Sequence, residues 1–409
     1  MNFTPEAVRQ QFPVFRQRNH PLPLFFDGPG GSQVPVTVMD QMYRYLSGGT
    51  ANLGGHYPTS MQTGQLVMQA RETVQAFLNA PDSRNIVFGA NMTTLTFHMS
   101  RILSRTWQAG DEVIVTELDH YANVSSWQQA AAEKGAVVHQ ARLDERQCTL
   151  DVEHLLSLIS ERTQLIAVTY ASNTTGSVVD VRRIIEAAHQ VGALVYVDAV
   201  HVAPHQLIDV QALECDFLVC SAYKFYGPHV GLLYIASHWL EHFEPYKVEP
   251  APNLGPGRYE TGTLNFEGLA GVIGAIEYLA QWGRKDDPLR SRLAESFTQY
   301  QRHEQQLCEL FLSMLQTLTS VRLYGIDVAD MSMRTPTFAL RFVHDTPEQI
   351  AKVLGQENIY VWNGHFYALG LVRRLGLENQ GGVLRIGMMH YNTEAEVHHL
   401  FEHLRRFDL

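Results

Sequence analysis

From residue 85 onward, short apolar stretches alternate with longer segments whose apolar residues recur every three or four positions. The short stretches predict strands at 85–89, 112–116, 136–141, 164–170, 193–198 and 216–220. The longer segments predict helices from about Thr93 and over 122–134, 151–160 and 181–192. Strands that alternate with helices predict a mainly parallel sheet that is covered on both faces. Ligands of such sheets bind where the strands end.

The regions on either side of this pattern predict further elements. Thr4 is a suitable N-cap, and Pro5 a suitable first residue, for a helix over 4–12. Helices are also predicted over 36–46 and 61–79, with a glycine-rich turn before the first of them. After about residue 285, a long helix over 291–318, the strands VRLYG, TPTFALRFV and VLRIGMM, and a final helix predict a smaller α+β unit. The hinge is expected at 284–292.

Composition narrows the classes of function. The 409 residues are enough for one large domain and one smaller domain, and the net charge of −11 argues against nucleic acid and anionic membranes as partners. The chain has no apolar run long enough to span a bilayer, and its start lacks the apolar segment of a secretion signal, so the cytoplasm is expected. The cysteines are too scattered to predict a metal site or a disulfide framework. They are Cys148, Cys215, Cys220 and Cys308.

Lys224 is the first candidate for chemistry. It follows directly on the apolar strand that ends near Ser221, and aromatic residues flank it in the run SAYKFYGP. Aromatic neighbours keep water from the amine, and a desolvated lysine becomes a nucleophile for a carbonyl. The alternative is an ordinary solvated lysine of a loop.

Polar segments at the ends of the predicted strands recur in a recognisable order. They are GANMTT (89–94), DHYAN (119–123), SNTTG (172–176), VDAVH (197–201), SAYK (221–224) and GPGRYETGTLN (255–265). This order resembles the class V enzymes of fold type I, which use pyridoxal 5′-phosphate, and most of all their cysteine desulfurase and selenocysteine lyase branch. The resemblance implies a large α/β domain (21–284) with a mainly parallel seven-stranded sheet and a small α+β domain (285–409), with residues 1–20 packed on the latter. It also implies a homodimer that acts on a small amino acid.

The same resemblance assigns roles at the cofactor. Lys224 would hold the aldehyde as a Schiff base, and the Asp198 carboxylate would keep the ring nitrogen protonated. A helix start that follows a strand suits a phosphate. The phosphate would therefore meet Thr93, Thr94 and Ser221.

Further implied roles concern the rest of the site. His120 would stack on the cofactor ring, His201 and Tyr223 would also meet the cofactor, and Thr263 would reach the phosphate in the partner subunit. On the substrate side, Arg385 would bind the α-carboxylate, and Asn173 would meet the phenolic oxygen of the cofactor or the carboxylate. His56, at the mouth of the partner's site, and His365 would also meet the substrate.

The sequence departs from desulfurases in the loop that carries their nucleophilic cysteine. In VWNGHFYALG (361–370), Gly364 and His365 are kept, but Tyr367 stands at the cysteine position. Where the family usually has a glutamine, this chain has His201, and where the family has a histidine just before the lysine, this chain has Tyr223. A phenol cannot replace a thiolate on sulfur. Aminotransfer, β-elimination of a C–S bond and racemisation therefore stay open, as do a desulfurase that uses another cysteine and a cofactor-binding protein without catalysis.

Overall fold

A computed structural model of the chain describes residues 3–17 and 22–408. The helices are α1 (Pro5–Arg9), α2 (Val36–Ser47), α3 (Pro58–Leu78), α4 (Met92–Leu103), α5 (Ala122–Lys134), α6 (Val152–Ser157), α7 (Val181–Gln190), α8 (Val210–Leu213), α9 (Phe266–Leu279), α10 (Leu289–Leu315), α11 (Pro347–Gln356), α12 (Leu369–Arg374) and α13 (Glu394–Leu404). The strands are β1 (Leu24–Phe25), β2 (Ile86–Gly89), β3 (Glu112–Thr116), β4 (Val137–Ala141), β5 (Leu143–Asp144), β6 (Thr149–Leu150), β7 (Thr163–Thr169), β8 (Leu194–Asp198), β9 (Phe217–Ser221), β10 (Gly231–Ile235), β11 (Val321–Tyr324), β12 (Thr337–Phe342), β13 (Ile359–Tyr360), β14 (Trp362–Gly364) and β15 (Val383–Gly387).

The large sheet has seven strands in the order β2-β10-β9-β8-β7-β3-β4. Strand β10 pairs antiparallel with both of its neighbours, and the remaining pairs are parallel. All strands except β10 therefore point the same way. The mainly parallel seven-stranded sheet expected from the sequence is confirmed, and its carboxyl ends share one edge.

Helices cover both faces of this sheet, which explains the continuously apolar strands. In β3, Val113 and Val115 belong to one apolar cluster and Ile114 to another, as alternate side chains of a strand must. The first cluster includes Trp127 of α5, and the second includes Ile184 of α7. Burial on both sides requires apolar residues at every position, and this is how the strands read in the sequence.

The small sheet has the order β11-β12-β15-β14 and is packed against α10, α11 and α13. Strand β1 pairs in parallel with β13, so Leu24 lies opposite Ile359 although the sequence predicted it at the start of the large domain. Residue 21, where that predicted domain begins, lies outside the described residues. Near the amino terminus, Arg9 forms an ion pair of 2.6 Å with Glu396.

Helix α9 is absent from the sequence prediction because glycines interrupt its apolar pattern. These glycines allow close packing on α2: a Cβ at Gly274 would lie 2.7 Å from the carbonyl oxygen of Thr37. Packing outweighs the low helix propensity of glycine here. Among the described residues, every helix is too short or too polar to cross a membrane.

The turn that follows Lys224 is fixed by a buried set of three hydrogen-bonded side chains, those of Tyr226, His390 and Tyr278. Tyr226 has φ of +72°, a conformation that non-glycine residues adopt only when their surroundings impose it. Its hydroxyl lies 2.9 Å from Nδ1 of His390, and Nε2 of the same ring lies 2.6 Å from the hydroxyl of Tyr278. The turn is thus tied to α9 and to the residues that follow β15.

Candidate active site

A cavity of about 520 Å³ lies at the carboxyl edge of the large sheet. It is bordered by the ends of β8 and β9, by the start of α4 and by the turn at Pro29. Most of the site residues predicted from the sequence meet there. They are Thr93, Thr94, His120, Asn173, Asp198, His201, Ser221, Tyr223 and Lys224.

Lys224 lies in a short turn directly after β9. Its Nζ donates hydrogen bonds to the carbonyl oxygens of Pro29 and Gly30, at 2.5 and 3.1 Å. Burial, together with the charge of Arg385, lowers the pKa of Lys224 to about 7, and Asp198 opposes the shift. A large fraction of this amine is therefore neutral at pH 7, and a neutral amine can attack a carbonyl.

Asp198 is the last residue of β8 and is buried. Its Oδ1 accepts a hydrogen bond of 2.9 Å from the backbone N–H of Val200. Burial raises the pKa of this carboxyl group to about 6, and the Val200 hydrogen bond and the charge of Lys224 limit the rise. The group is mainly ionised at neutral pH and faces the same cavity as Lys224.

The start of α4 provides a site for an anion. Asn91 caps the helix by accepting a hydrogen bond of 2.9 Å from the backbone N–H of Thr94. Ser221 accepts one from the backbone N–H of Met92, also at 2.9 Å. Thr93 and Thr94 remain exposed at the cavity. Backbone N–H groups and hydroxyls at a helix N-terminus are a typical phosphate-binding arrangement.

His120 lies on the cavity wall beneath the loop that follows β14. Burial, with the charges of Lys224 and Arg385, lowers its pKa to about 4, so the ring is neutral. The ring of Tyr367 stacks on it with ring centres 5.2 Å apart. The backbone N–H of Tyr121 donates to the carbonyl oxygen of Tyr367 at 2.8 Å, which holds the loop in place.

Phe366 contacts both Arg385 and Asn173, the second of which lines the cavity. The guanidinium carbon of Arg385 lies 4.0 Å from the centre of the Phe366 ring, and Asn173 donates to the Phe366 carbonyl oxygen at 2.9 Å. Phe366 and Tyr367 have φ of +51° and +60°. Two adjacent non-glycine residues in this conformation require strong local constraints, which these contacts provide.

Arg385 is buried next to the cavity. Its Nη1 donates to the carbonyl oxygen of Asn173 at 2.9 Å. Burial lowers its pKa to about 9, and the negative charge of Asp27 opposes that shift. Asp27 Oδ1 is buried and has no hydrogen-bond partner among the described residues. The position beside Asn173 is compatible with the predicted carboxylate clamp, whose function stays a prediction.

Three predicted residues lie away from this cavity. Thr263 lines a neighbouring cavity of about 270 Å³, which shares Thr94 and His229 with the first. His56 is exposed in the loop before α3. His365 is also exposed, and its Nδ1 accepts a hydrogen bond from the backbone N–H of Tyr367. Within one chain these three side chains do not join the group around Lys224.

Asp119 supports the cavity wall through its hydrogen bond to Thr169, although the sequence analysis assigned it no function. It is fully buried and accepts hydrogen bonds from Thr116 Oγ1, Thr169 N and Asn123 Nδ2, at 2.5, 3.1 and 2.7 Å. Burial raises its pKa to about 7. The available signal was an aspartate directly before His120 at the end of an apolar strand.

Comparison with known proteins gives the family. The family model described as "Aminotransferase class-V" matches residues 24–400. The chain belongs to the aminotransferase class-V family. It is a pyridoxal-phosphate-dependent enzyme, and the chemistry at the cavity fits that cofactor, with a partly buried amine, a buried carboxylate and a helix start in one place.

The similar members of the class-V family include cysteine desulfurases. The chain is 30% identical to one from Escherichia coli, and the match covers 99% of this chain and 98% of that protein. It is also 30% identical to one from Synechococcus elongatus, where it spans 64% of the relative's length. The crystal structure of the cysteine desulfurase CsdA from Escherichia coli is similar with a TM-score of 0.84 at 27% identity, covering 99% of this chain and 98% of that one.

Proposed function

We propose that this enzyme cleaves the carbon–sulfur bond of a small amino acid such as cysteine by β-elimination, without forming a persulfide on the chain. The observation that carries the proposal is Tyr367. It occupies the loop position where desulfurases keep a cysteine, and its ring stacks on His120 beside the cavity. A phenol oxygen, unlike the sulfur of a thiolate, does not form a transferable persulfide.

The four cysteines support the same conclusion. Each is buried, and none is among the residues that line the described cavity. Burial raises the pKa of Cys148 to about 11 and that of Cys308 to about 12, and it also raises the pKa values of Cys215 and Cys220. Because thiolates are the reactive form, these side chains are poor nucleophiles.

The chain's own residues supply the rest of the chemistry. When bound, pyridoxal phosphate acts as an electron sink that makes the substrate Cα–H bond acidic. Lys224 would hold the cofactor through its neutral amine, and its Nζ would also be the group that takes the Cα proton of the substrate. Asp198 would supply the negative charge that keeps the ring nitrogen protonated, and Arg385 would bind the substrate carboxylate.

The atoms balance without an oxidant or reductant. The Cα–H and Cβ–S bonds of cysteine break, the sulfur leaves as sulfide, and water hydrolyses the remaining enamine. Cysteine and one water therefore give pyruvate, ammonia and hydrogen sulfide. No acceptor thiol is needed, which agrees with the position of Tyr367.

The experiment that tests this proposal is a screen of the cofactor-loaded enzyme against the common amino acids. A change of cofactor absorbance identifies substrates, and product assays identify the reaction. Pyruvate and ammonia in equal amounts support elimination. A keto acid without free ammonia would instead indicate aminotransfer, and a D-isomer racemisation. A protein that binds the cofactor but responds to no amino acid would exclude all three.

We also propose that the enzyme is a homodimer. An apolar surface that we call the α2–α3 face supports this, since its large side chains are exposed. They are Met39, Tyr43, Leu46, Leu53, Tyr57 and Met61. Exposed apolar surface of this kind is typical of protein interfaces. Leu53 and Thr263 border one groove, so a partner on this face would lie next to Thr263.

Two further assignments are proposals as well. A cytoplasmic location agrees with the four unpaired cysteines and with bacterial cysteine desulfurases as relatives. The division into a large domain (21–284) and a small domain (285–409) agrees with the two larger sheets, because the strands of the seven-stranded sheet come from the first range and those of the four-stranded sheet from the second. Limited proteolysis near residues 284–292 tests this boundary.

A further inference from the structure

His201 is a residue of the cavity wall that the proposed elimination leaves without a function. It follows Asp198 by three residues and lines the same cavity as Lys224. The side chain is 5% exposed. Its hydrogen bonds determine which of its ring nitrogens carries the proton.

Two hydrogen bonds link His201 through the hydroxyl of Thr335 to the carbonyl oxygen of Gly176. Thr335 Oγ1 lies 3.3 Å from the carbonyl oxygen of Gly176, and since a carbonyl only accepts, the hydroxyl proton is used there. Oγ1 therefore accepts from His201 Nε2, which lies 3.1 Å away. A neutral imidazole carries one proton, so Nδ1 is unprotonated. Nδ1 makes no hydrogen bond with any residue in the described ranges.

Thr335 is held firmly enough to impose this tautomer. Its backbone N–H donates to the Gly176 carbonyl oxygen at 2.8 Å. Gly176 has φ of +77°, and a Cβ at this position would lie 2.6 Å from the carbonyl oxygen of Thr337. The two segments can approach this closely only because residue 176 is glycine.

The surroundings keep the ring neutral. Burial lowers the pKa of His201 well below its ordinary value, and electrostatic interactions with the neighbouring His205, Arg385 and Lys224 lower it further. The ring of His205 lies 5.8 Å away, and its Nδ1 is engaged by both carboxylate oxygens of Glu304 at 3.0 Å. Asp198 is the carboxylate of the same cavity.

We propose that His201 is a positioned proton acceptor, whose Nδ1 takes a hydrogen bond or a proton from a ligand group that carries one, such as an ammonium or a hydroxyl. The glutamine usual at this position in related enzymes has no basic atom to offer. The site thereby has an acceptor in addition to Lys224. The identity of the ligand rests on the proposed function, whereas the tautomer of His201 does not.

The tautomer is tested on the protein without cofactor. Long-range proton–nitrogen NMR of a sample labelled with ¹⁵N-histidine, compared with His201→Gln, identifies the ring signals of residue 201. We expect protonated Nε2 and unprotonated Nδ1 at pH 7, also in Thr335→Ser, and a change of this pattern in Thr335→Val. A protonated Nδ1 in the wild type would overturn the proposal, whatever the enzyme catalyses.

A second measurement concerns the function of the acceptor. His201→Gln keeps a donor near Thr335 and replaces the basic ring nitrogen by an amide oxygen, which accepts hydrogen bonds but does not take up a proton. Because Lys224 can remove the substrate α-hydrogen only after the ammonium of the substrate has lost a proton, the solvent exchange of that hydrogen in D₂O should fall by about 100-fold, a typical general-base effect. Cofactor affinity, measured by titration, should change less than the exchange rate. Unchanged exchange in this variant would exclude the acceptor role. If the wild type exchanges the α-hydrogen of none of the amino acids tested, the proposed function fails, and the NMR result still decides the tautomer of His201.

Discussion

Tyr367 stacks on His120, with ring centres 5.2 Å apart and ring planes inclined by 27°. This contact joins the loop after β14 to the loop after β3, and the backbone hydrogen bond from Tyr121 to Tyr367 reinforces it. The tyrosine predicted to stand at the position of the desulfurase cysteine therefore has a defined structural partner. His120 is in turn the residue predicted to cover the cofactor.

The first prediction separates the ring of Tyr367 from its hydroxyl. Tyr367→Phe should retain cofactor affinity and turnover within about threefold, because the stack on His120 persists. Tyr367→Ala removes the stacking contact, which contributes about 0.5–1.5 kcal/mol, so cofactor or substrate binding should weaken roughly three- to tenfold. Kinetics and cofactor titration of both variants provide the check. A large loss of turnover in Tyr367→Phe would show that the hydroxyl transfers a proton.

The second prediction concerns the pH dependence of cofactor attachment. Since burial lowers the pKa of Lys224 to about 7, the neutral fraction of its amine rises about tenfold per pH unit below 7 and levels off above it. The attachment rate, followed by the visible absorbance of the lysine-bound cofactor, should show this profile. Lys224→Ala should lose that absorbance and its trapping by borohydride, whereas Lys352→Ala, at an exposed lysine, should not. A midpoint near pH 10 would argue against a desolvated amine.

The third prediction tests Arg385 as the carboxylate clamp. Arg385→Ala should weaken amino-acid binding by about 2–5 kcal/mol, because a desolvated charge pair is lost. Arg322 on β11 is exposed, and Arg322→Ala provides the matched control. Spectroscopic titration with amino acids measures both variants, and a cofactor titration checks that the site remains loaded. Equal amino-acid affinity in the two variants would remove Arg385 from the substrate site.

The approach of Lys224 to Asp198 was predictable because it follows from topology. Asp198 ends β8, Lys224 lies in the turn directly after the adjacent parallel strand β9, and carboxyl ends of such strands share one edge. The strand bounds were also readable, since residues buried on both faces form continuous apolar runs.

Contacts between distant loops were not predictable from the sequence. Arg385 and Asn173 are separated by 212 residues, and His201 and Thr335 by 134. No local pattern encodes such pairs, and the left-handed backbone of Phe366 and Tyr367 is imposed by tertiary contacts rather than by residue type. Helix α9 was missed for a related reason, because its glycines serve packing against α2.

The fourth prediction concerns the homodimer. A charge at the centre of the α2–α3 face should disrupt the association, because burying an unpaired carboxylate is costly. Tyr43 is 72% exposed, and Tyr43→Glu should shift the sedimenting species from dimer to monomer. Val343 is equally exposed at the end of β12, and Val343→Glu should leave the dimer intact. A wild-type protein that sediments as a monomer at micromolar concentration with full cofactor occupancy would refute a shared site.

The fifth prediction is the fate of cysteine sulfur. If cysteine is a substrate, the absence of a thiolate at position 367 requires the sulfur to leave as free sulfide, and the carbon skeleton to appear as pyruvate. Alanine should not form, because its formation requires a nucleophile that removes sulfur while the Cα–N bond is kept. Mass spectrometry after a single turnover should detect no persulfide on the enzyme, in the wild type and in Cys308→Ser alike. Alanine together with a persulfide on Cys148, Cys215, Cys220 or Cys308 would contradict the elimination mechanism. It would also mean that a buried cysteine becomes accessible during turnover, since all four thiols lie in surroundings that disfavour their ionised form.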